Sequence, residues 1–285
     1  MSSFLSELGK KLAERWMTSL VLPGALFTAL TVAGLALGHR DALDLRRLSR
    51  AAEGFAARYD HRPAAAAVLV VVALAVGSLV GLLARGLGSV VEKVWLMAGP
   101  RWLTSPLVHR RQNRWERARA VAAGGAGADL AVLVEARNAI ALTPPARWTW
   151  IGDRLRDVSV RVHGQYQLDF SSTWPRLWTL LPADCRNDLI TARQAMTDAA
   201  TAGGWGVLYL CLGTQWWPAA PAGAVLLLMS WSHGRDAAGT LADLTESAVD
   251  LYAADLARAL GVELPLGYVT PAVGRLLSER FRKGA

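Results

Sequence analysis

Stretches without charge alternate with stretches rich in arginine along this chain. Residues 16–38, 64–84 and 199–234 contain no Asp, Glu, Lys or Arg. A membrane-crossing helix needs about 20 predominantly apolar residues at about 1.5 Å each. The first two runs fit one crossing apiece. The third is too long for one and is interrupted by Gln215-Trp216-Trp217-Pro218-Ala219-Ala220-Pro221. Proline ends helices and tryptophan favours the lipid–water boundary, so the pattern predicts a hairpin of two short spans, residues 199–216 and 219–233.

The segments between these runs carry helical periodicity of their own. Residues 1–15 are a polar start with Lys10, Lys11 and Arg15. The span after them exceeds the apolar core of a signal peptide, about 7–15 residues, which predicts a retained anchor. In the connection at residues 39–63, Leu45, Leu48, Ala52, Phe55 and Tyr59 share one helical face, while Arg46, Arg47, Arg50 and Arg58 take others. Such a helix lies in the headgroup region or packs on the protein's own surface. Gly77 and Gly81 in the second span form a small-residue face for helix packing, within the chain or between copies. Val90, Val91, Val94 and Trp95 extend that helix beyond the uncharged run.

Residues 85–198 are long enough for a helical extramembrane domain. Arg110, Arg111, Arg114 and Arg117 crowd one stretch and are candidates for anionic lipid headgroups. Trp148, Ile151, Leu155, Val158 and Val162 form a helical stripe, with Thr143 as the expected cap and Pro144 at the first position. Because Val158, Val160 and Val162 alternate, a short strand is the alternative there. Phe170, Trp174, Leu177, Trp178 and Leu181 make a second stripe, capped by Ser171 or Ser172, suited to docking on the bilayer or the hairpin base, or to a ligand platform. In the tail, residues 235–285, a helix over 240–260 should stop at Gly261. Its acidic face of Asp243, Glu246 and Asp250 is expected beside the basic stretch, with Leu241, Leu244 and Leu251 facing the domain.

Composition narrows the function classes. Apolar residues are 53% of the chain against 19% charged, a membrane-protein balance. The net charge of +8 comes without a nucleic-acid-binding motif, so anionic lipid is the expected partner and nucleic acid is not. Cys185 and Cys211 make no disulfide framework, and the scattered histidines make no metal site. No Walker loop, GxGxxG, HExxH, GxSxG or CxxC occurs, so neither a cofactor nor a catalytic residue is assigned. The spans lack interior ionisable groups, which argues against a transporter.

Gly152-Asp153-Arg154-Leu155, Tyr166-Gln167-Leu168-Asp169 and Trp174-Pro175-Arg176-Leu177-Trp178 with Pro182 resemble a pattern seen in a family of bacterial integral membrane proteins of no assigned activity. In that pattern an Asn stands where Asp153 does, a Gly where Gln167 does, and an acidic residue where Ser159 does. The resemblance spans about residues 144–234 and implies the architecture without implying a chemistry. Its polar and aromatic positions, Asp153, Tyr166, Asp169, Trp174, Arg176 and Trp178, are the candidate binding residues.

The expectation is therefore an all-α integral membrane protein. Four transmembrane helices, two plus a C-proximal hairpin, carry a helical domain between the second and third. Lys10, Lys11, Arg15, Arg85, Lys93, Arg101, Arg186, Arg193 and Arg235 flank the spans on the side of the termini. Arg40, Arg46, Arg47, Arg50, Arg58 and Arg62 lie on the other. The positive-inside rule puts both termini and the domain in the cytoplasm, at the inner membrane. The expected role is a membrane-anchored scaffold presenting the domain to a soluble protein. The alternatives are an enzyme on a lipid or membrane-bound substrate and an oligomeric pore-forming effector.

Overall fold

The computed structural model describes residues 21–59, 63–98, 101–125 and 128–282, and the regular structure among these is all helical, without strands. Ten helices follow in order: α1 Leu22–Leu37, α2 Leu45–Tyr59, α3 Pro63–Leu96, α4 Arg101–Gly124, α5 Ala128–Ile140, α6 Trp150–Tyr166, α7 Phe170–Leu180, α8 Ala183–Gly213, α9 Ala219–Ala259 and α10 Pro271–Arg282. The polar start, the opening of the first span and the side chains of Leu45, Ala52, Phe55 and Tyr59 lie outside the described residues. The chain forms two compact units, residues 1–91 with 198–231 and residues 92–197 with 232–285. The C-terminal tail thus groups with the domain.

The first unit is held by close backbone approach. A Cβ at Gly77 would lie 2.8 Å from the Ala25 nitrogen, and one at Gly24 would overlap the Gly77 carbonyl. Farther along α3, a Cβ at Gly88 would meet the Thr201 Cα at 2.7 Å, and Gly204 packs against the Ala84 carbonyl. Gly81 is buried as well. Ser230 Oγ donates to the Ala199 carbonyl at 2.7 Å, tying α9 to α8. The turn between these two helices falls where the paired tryptophans and Pro218 predict it, at residues 214–218.

Among the described residues, α3 is the helix long and apolar enough to cross a membrane, with a mean hydropathy of 2.8 over its best window. It turns its apolar side chains outward: Val71 is 65% exposed and Leu79 67%. α1 is apolar but shorter. The uncharged stretches of α8 and α9 are parts of longer helices whose other halves are polar, because Ala183 and Ala259, not the ends of the uncharged run, bound them.

The second unit has a buried aliphatic core. Val158, Leu168, Leu177, Leu189, Val249 and Leu277 meet at its centre. α4 and α5 pair, and the buried Trp115 donates from Nε1 to the Ala141 carbonyl at 2.9 Å. α10 docks through Gly274, where a Cβ would overlap the Tyr166 carbonyl, and through Ser278 Oγ, which accepts from the Asp169 N–H at 2.9 Å.

Two expected helix caps are corrected, while the helical stripe of Ile151, Leu155, Val158 and Val162 is present as expected. α6 is capped by Thr149, whose hydroxyl accepts from Gly152 N at 2.9 Å, and not by Thr143. Val158, Val160 and Val162 belong to this helix and form no strand. The cap of α7 is Asp169 and not Ser171 or Ser172, which puts Pro175 in the second turn. α9 runs without a break through residues 234–240, and Gly261, at φ +70°, supplies the left-handed stop that follows it.

Candidate functional site

The site region of the second unit is built from a stretch that cannot pair its own backbone. Residues 141–149 are non-helical, and Pro144-Pro145 prevent a regular ladder. Buried N–H groups need acceptors, and two aspartates one turn apart on α6 supply them. Asp157 accepts from the Leu142 and Thr143 N–H groups at 3.2 Å each and from the Thr143 hydroxyl. Asp153 Oδ1 accepts from Ala146 N at 2.9 Å and Arg147 N at 2.7 Å. Its Oδ2 faces Arg111 Nη1 at 2.7 Å. Arg111 also donates to the carbonyls of Arg147 and Ile140. Burial raises the Asp153 pKa, opposed by the two backbone donors and by Arg111; burial likewise lowers that of Arg111. Asp153, 1% exposed, therefore holds the loop through the hydrogen bonds of Oδ1, while Oδ2 makes no hydrogen bond and has only its ion pair with Arg111. Beside it lies a cavity of about 70 Å³ lined by Asn138, Trp150, Arg154 and Asp157.

The next layer joins α6 to α9. Arg154 pairs with Asp243 and, at 3.2 Å, with Glu246; Arg161 reaches Glu246 at 3.0 Å. Tyr166 donates its hydroxyl to Asp250 at 2.8 Å. Burial and then this carboxylate push the Tyr166 phenol up to about 12. The acidic face of α9 is thus spent on α6, and the expected pairing with the α4 arginines does not occur at these residues. Leu241 and Leu244 pack against the core, but Leu251 is 69% exposed. Arg161, Gln165, Tyr166, Glu246 and Asp250 line an open polar cavity of about 460 Å³.

A separate apolar groove of about 410 Å³ runs along α7. Phe170, Trp174 and Trp178 stand in a row, with ring centroids 5.3 and 5.9 Å apart. Leu155, Val158 and Leu189 contribute apolar surface, and Ile190, Arg193 and Gln194 also line it, Ile190 being 55% exposed. Arg193 is held by Glu92 at 2.5 Å. Leu177 and Leu181, on the same stripe, are buried in the core.

Of the six candidate binding residues, Trp174 and Trp178 share the α7 groove. Tyr166 faces the polar cavity, and Asp153 is locked on Arg111. Asp169 caps α7, bonds Ser171 and lies 3.6 Å from Arg282; the Ser171 bonds hold its carboxyl below the usual range. Arg176 donates to the Ser172 carbonyl and sits 4.4 Å from the centre of the Phe281 ring. Among the arginines proposed for lipid, Arg110, Arg114 and Arg117 are exposed on α4, whereas Arg111 turns inward. Sequence reasoning missed Arg154, Asp157 and Arg161. The spacing of Asp153 and Asp157, one helical turn apart, was the available signal. Among the described residues, no cluster of His, Cys, Asp and Glu could hold a metal ion. Comparison of the chain with protein-family models, with curated proteins and with solved structures finds no significant match.

Proposed function

We propose that this protein is a membrane-anchored scaffold whose helical domain offers the α7 groove to an apolar segment of a soluble protein. The carrying observation is the row of Phe170, Trp174 and Trp178 beside the exposed Ile190. Rigid aromatic surface of this kind buries much apolar area on binding at a low cost in conformational entropy. The enzyme reading is less well supported, because Asp153, Tyr166, Asp169 and Arg176 are engaged in separate places. The pore-forming reading is also less well supported, because Gly77 of its proposed face packs against Gly24 and Ala25 of the same chain.

The membrane part of the proposal is an inner-membrane protein with four spans: residues 16–38, α3, and the two arms of the α8–α9 hairpin. Its termini and domain are cytoplasmic, and Arg110, Arg114 and Arg117 contact anionic headgroups. The outward apolar surface of α3 and the uncharged arms support this reading. Ile190→Glu places a charge on the groove without touching the core. Full-length protein in mild detergent should retain a soluble protein that the Ile190→Glu form loses. Retention of the same proteins by both forms would remove the groove from the reading.

A further inference from the structure

Resting on the membrane reading above, we infer that the hairpin is built for a bilayer of about 22 Å apolar thickness. That is well below the roughly 30 Å of a typical hydrocarbon core. The partner surface of the first unit is then a thin bilayer, or one that the protein itself thins.

The arms set the length. On α8 the uncharged helical stretch runs from Ala199, just after Asp198, to the helix end at Gly213. On α9 it runs from Ala219 to Gly234, just before Arg235. At 1.5 Å per residue these measure about 22 and 24 Å. Tilting shortens the depth they cover, so it cannot close the gap.

The tip cannot make up the difference by sinking into hydrocarbon. Its backbone is irregular, and the Gln215 carbonyl meets His39 Nδ1 at 2.6 Å. Trp216 Nε1 donates to the Ala42 carbonyl at 2.9 Å, which ties the tip to the loop carrying Asp41. Arg47 pairs with Asp41 there, their side chains 51% and 44% exposed. A solvated ion pair and a non-helical turn belong at the interface, as do Trp216 and Trp217. α3 contrasts with the arms: its uncharged run of residues 64–84 measures about 31 Å. Residues 67–76 of that run are exposed on every side. A longer helix fits a thinner layer by tilting, whereas short arms need the layer itself to be thin.

The test reconstitutes the full chain by flotation into vesicles of dimyristoleoyl-, dioleoyl- or dierucoyl-phosphatidylcholine, each mixed with phosphatidylglycerol. Insertion yield and thermal stability should be highest in the shortest lipid and fall several-fold in yield in the longest. A polarity-sensitive label on Gln215→Cys, with Cys185→Ser and Cys211→Ser, should report an aqueous tip in the short lipid. Equal or greater yield and stability in the dierucoyl vesicles overturns the thickness proposal and leaves the membrane reading intact. Failure to float with any vesicle overturns both.

Discussion

Each of the two units coheres internally by a different means. In the first, glycine lets helix backbones touch, at Gly24 against Gly77 and at Gly204 against Ala84, while large side chains such as Val71 and Leu79 face outward. In the second, large side chains such as Leu177 and Leu277 are fully buried, and charged groups are paired around them. Water drives apolar groups inward, which explains the second unit. Where lipid is the solvent, apolar burial gains nothing, and close packing supplies the cohesion. On the proposed membrane reading, the contrast is between a region built against lipid and one built against water, and each substitution below asks whether it holds.

The largest effect is expected at the ionic heart of the second unit. Asp153→Ala strips two backbone N–H groups of their acceptor and leaves the half-buried Arg111 without its carboxylate. Breaking a buried pair in this way costs about 3–5 kcal/mol. Denaturant unfolding of the purified protein should show it, with Asp153→Asn milder because one oxygen still accepts. A loss within error would mean that solvent reaches this pair.

Next comes the glycine face. Gly77→Leu with Gly81→Leu should lower thermal stability by the equivalent of about 1–3 kcal/mol, as overpacking does. Membrane insertion should be unaffected, since leucine is well tolerated in lipid. Unchanged melting and extraction behaviour would deny that backbone contact holds this unit.

A smaller effect belongs to the α6–α9 seam. Tyr166→Phe removes one hydrogen bond to Asp250, worth about 0.5–1.5 kcal/mol. Because the folded pKa lies above the unfolded value, this phenol contributes stability fully below about pH 10. The contribution is lost as pH rises through about 12. Stability of the wild type should therefore fall more steeply than that of Tyr166→Phe across this window, with phenolate absorbance rising in step. Parallel curves would mean that Tyr166 titrates alike in the folded and the unfolded chain.

The smallest change in stability is expected from the exposed arginines. Replacing Arg110, Arg114 and Arg117 together by Gln should alter unfolding by under about 0.5 kcal/mol each. Binding to anionic vesicles should weaken by about 1 kcal/mol per residue and lose its salt dependence. Unaltered vesicle binding would leave these residues as a solvated face.

What could be read in the sequence was what depends on local pattern. The turn at residues 214–218 follows from Trp216-Trp217-Pro218, and the overshoot of α3 from Val90, Val91, Val94 and Trp95. The left-handed stop at Gly261 was equally legible. What escaped depends on distant partners. Thr143-Pro144 looks like a helix start, but Asp157 accepts from Thr143 and holds it in a loop. The acidic face of α9 was visible as spacing, yet its partners are Arg154 and Arg161 on α6. Net charge had pointed to α4, because charge counting ignores which helix is adjacent. The α7 stripe was legible as apolar, but its division between core and groove depends on where α8 and α9 pack. Leu177 and Leu181 face the core, while Trp174 and Trp178 line the groove.

The proposed contrast between a lipid-built and a water-built region requires that the chain cross a membrane with the domain on one side. Reporter fusions at Gly54, Gly125 and Ala285 in living cells test that requirement directly. The account predicts an external signal at Gly54 and cytoplasmic signals at Gly125 and Ala285. An external signal at Gly125, or the same side for Gly54 and Gly125, would contradict it.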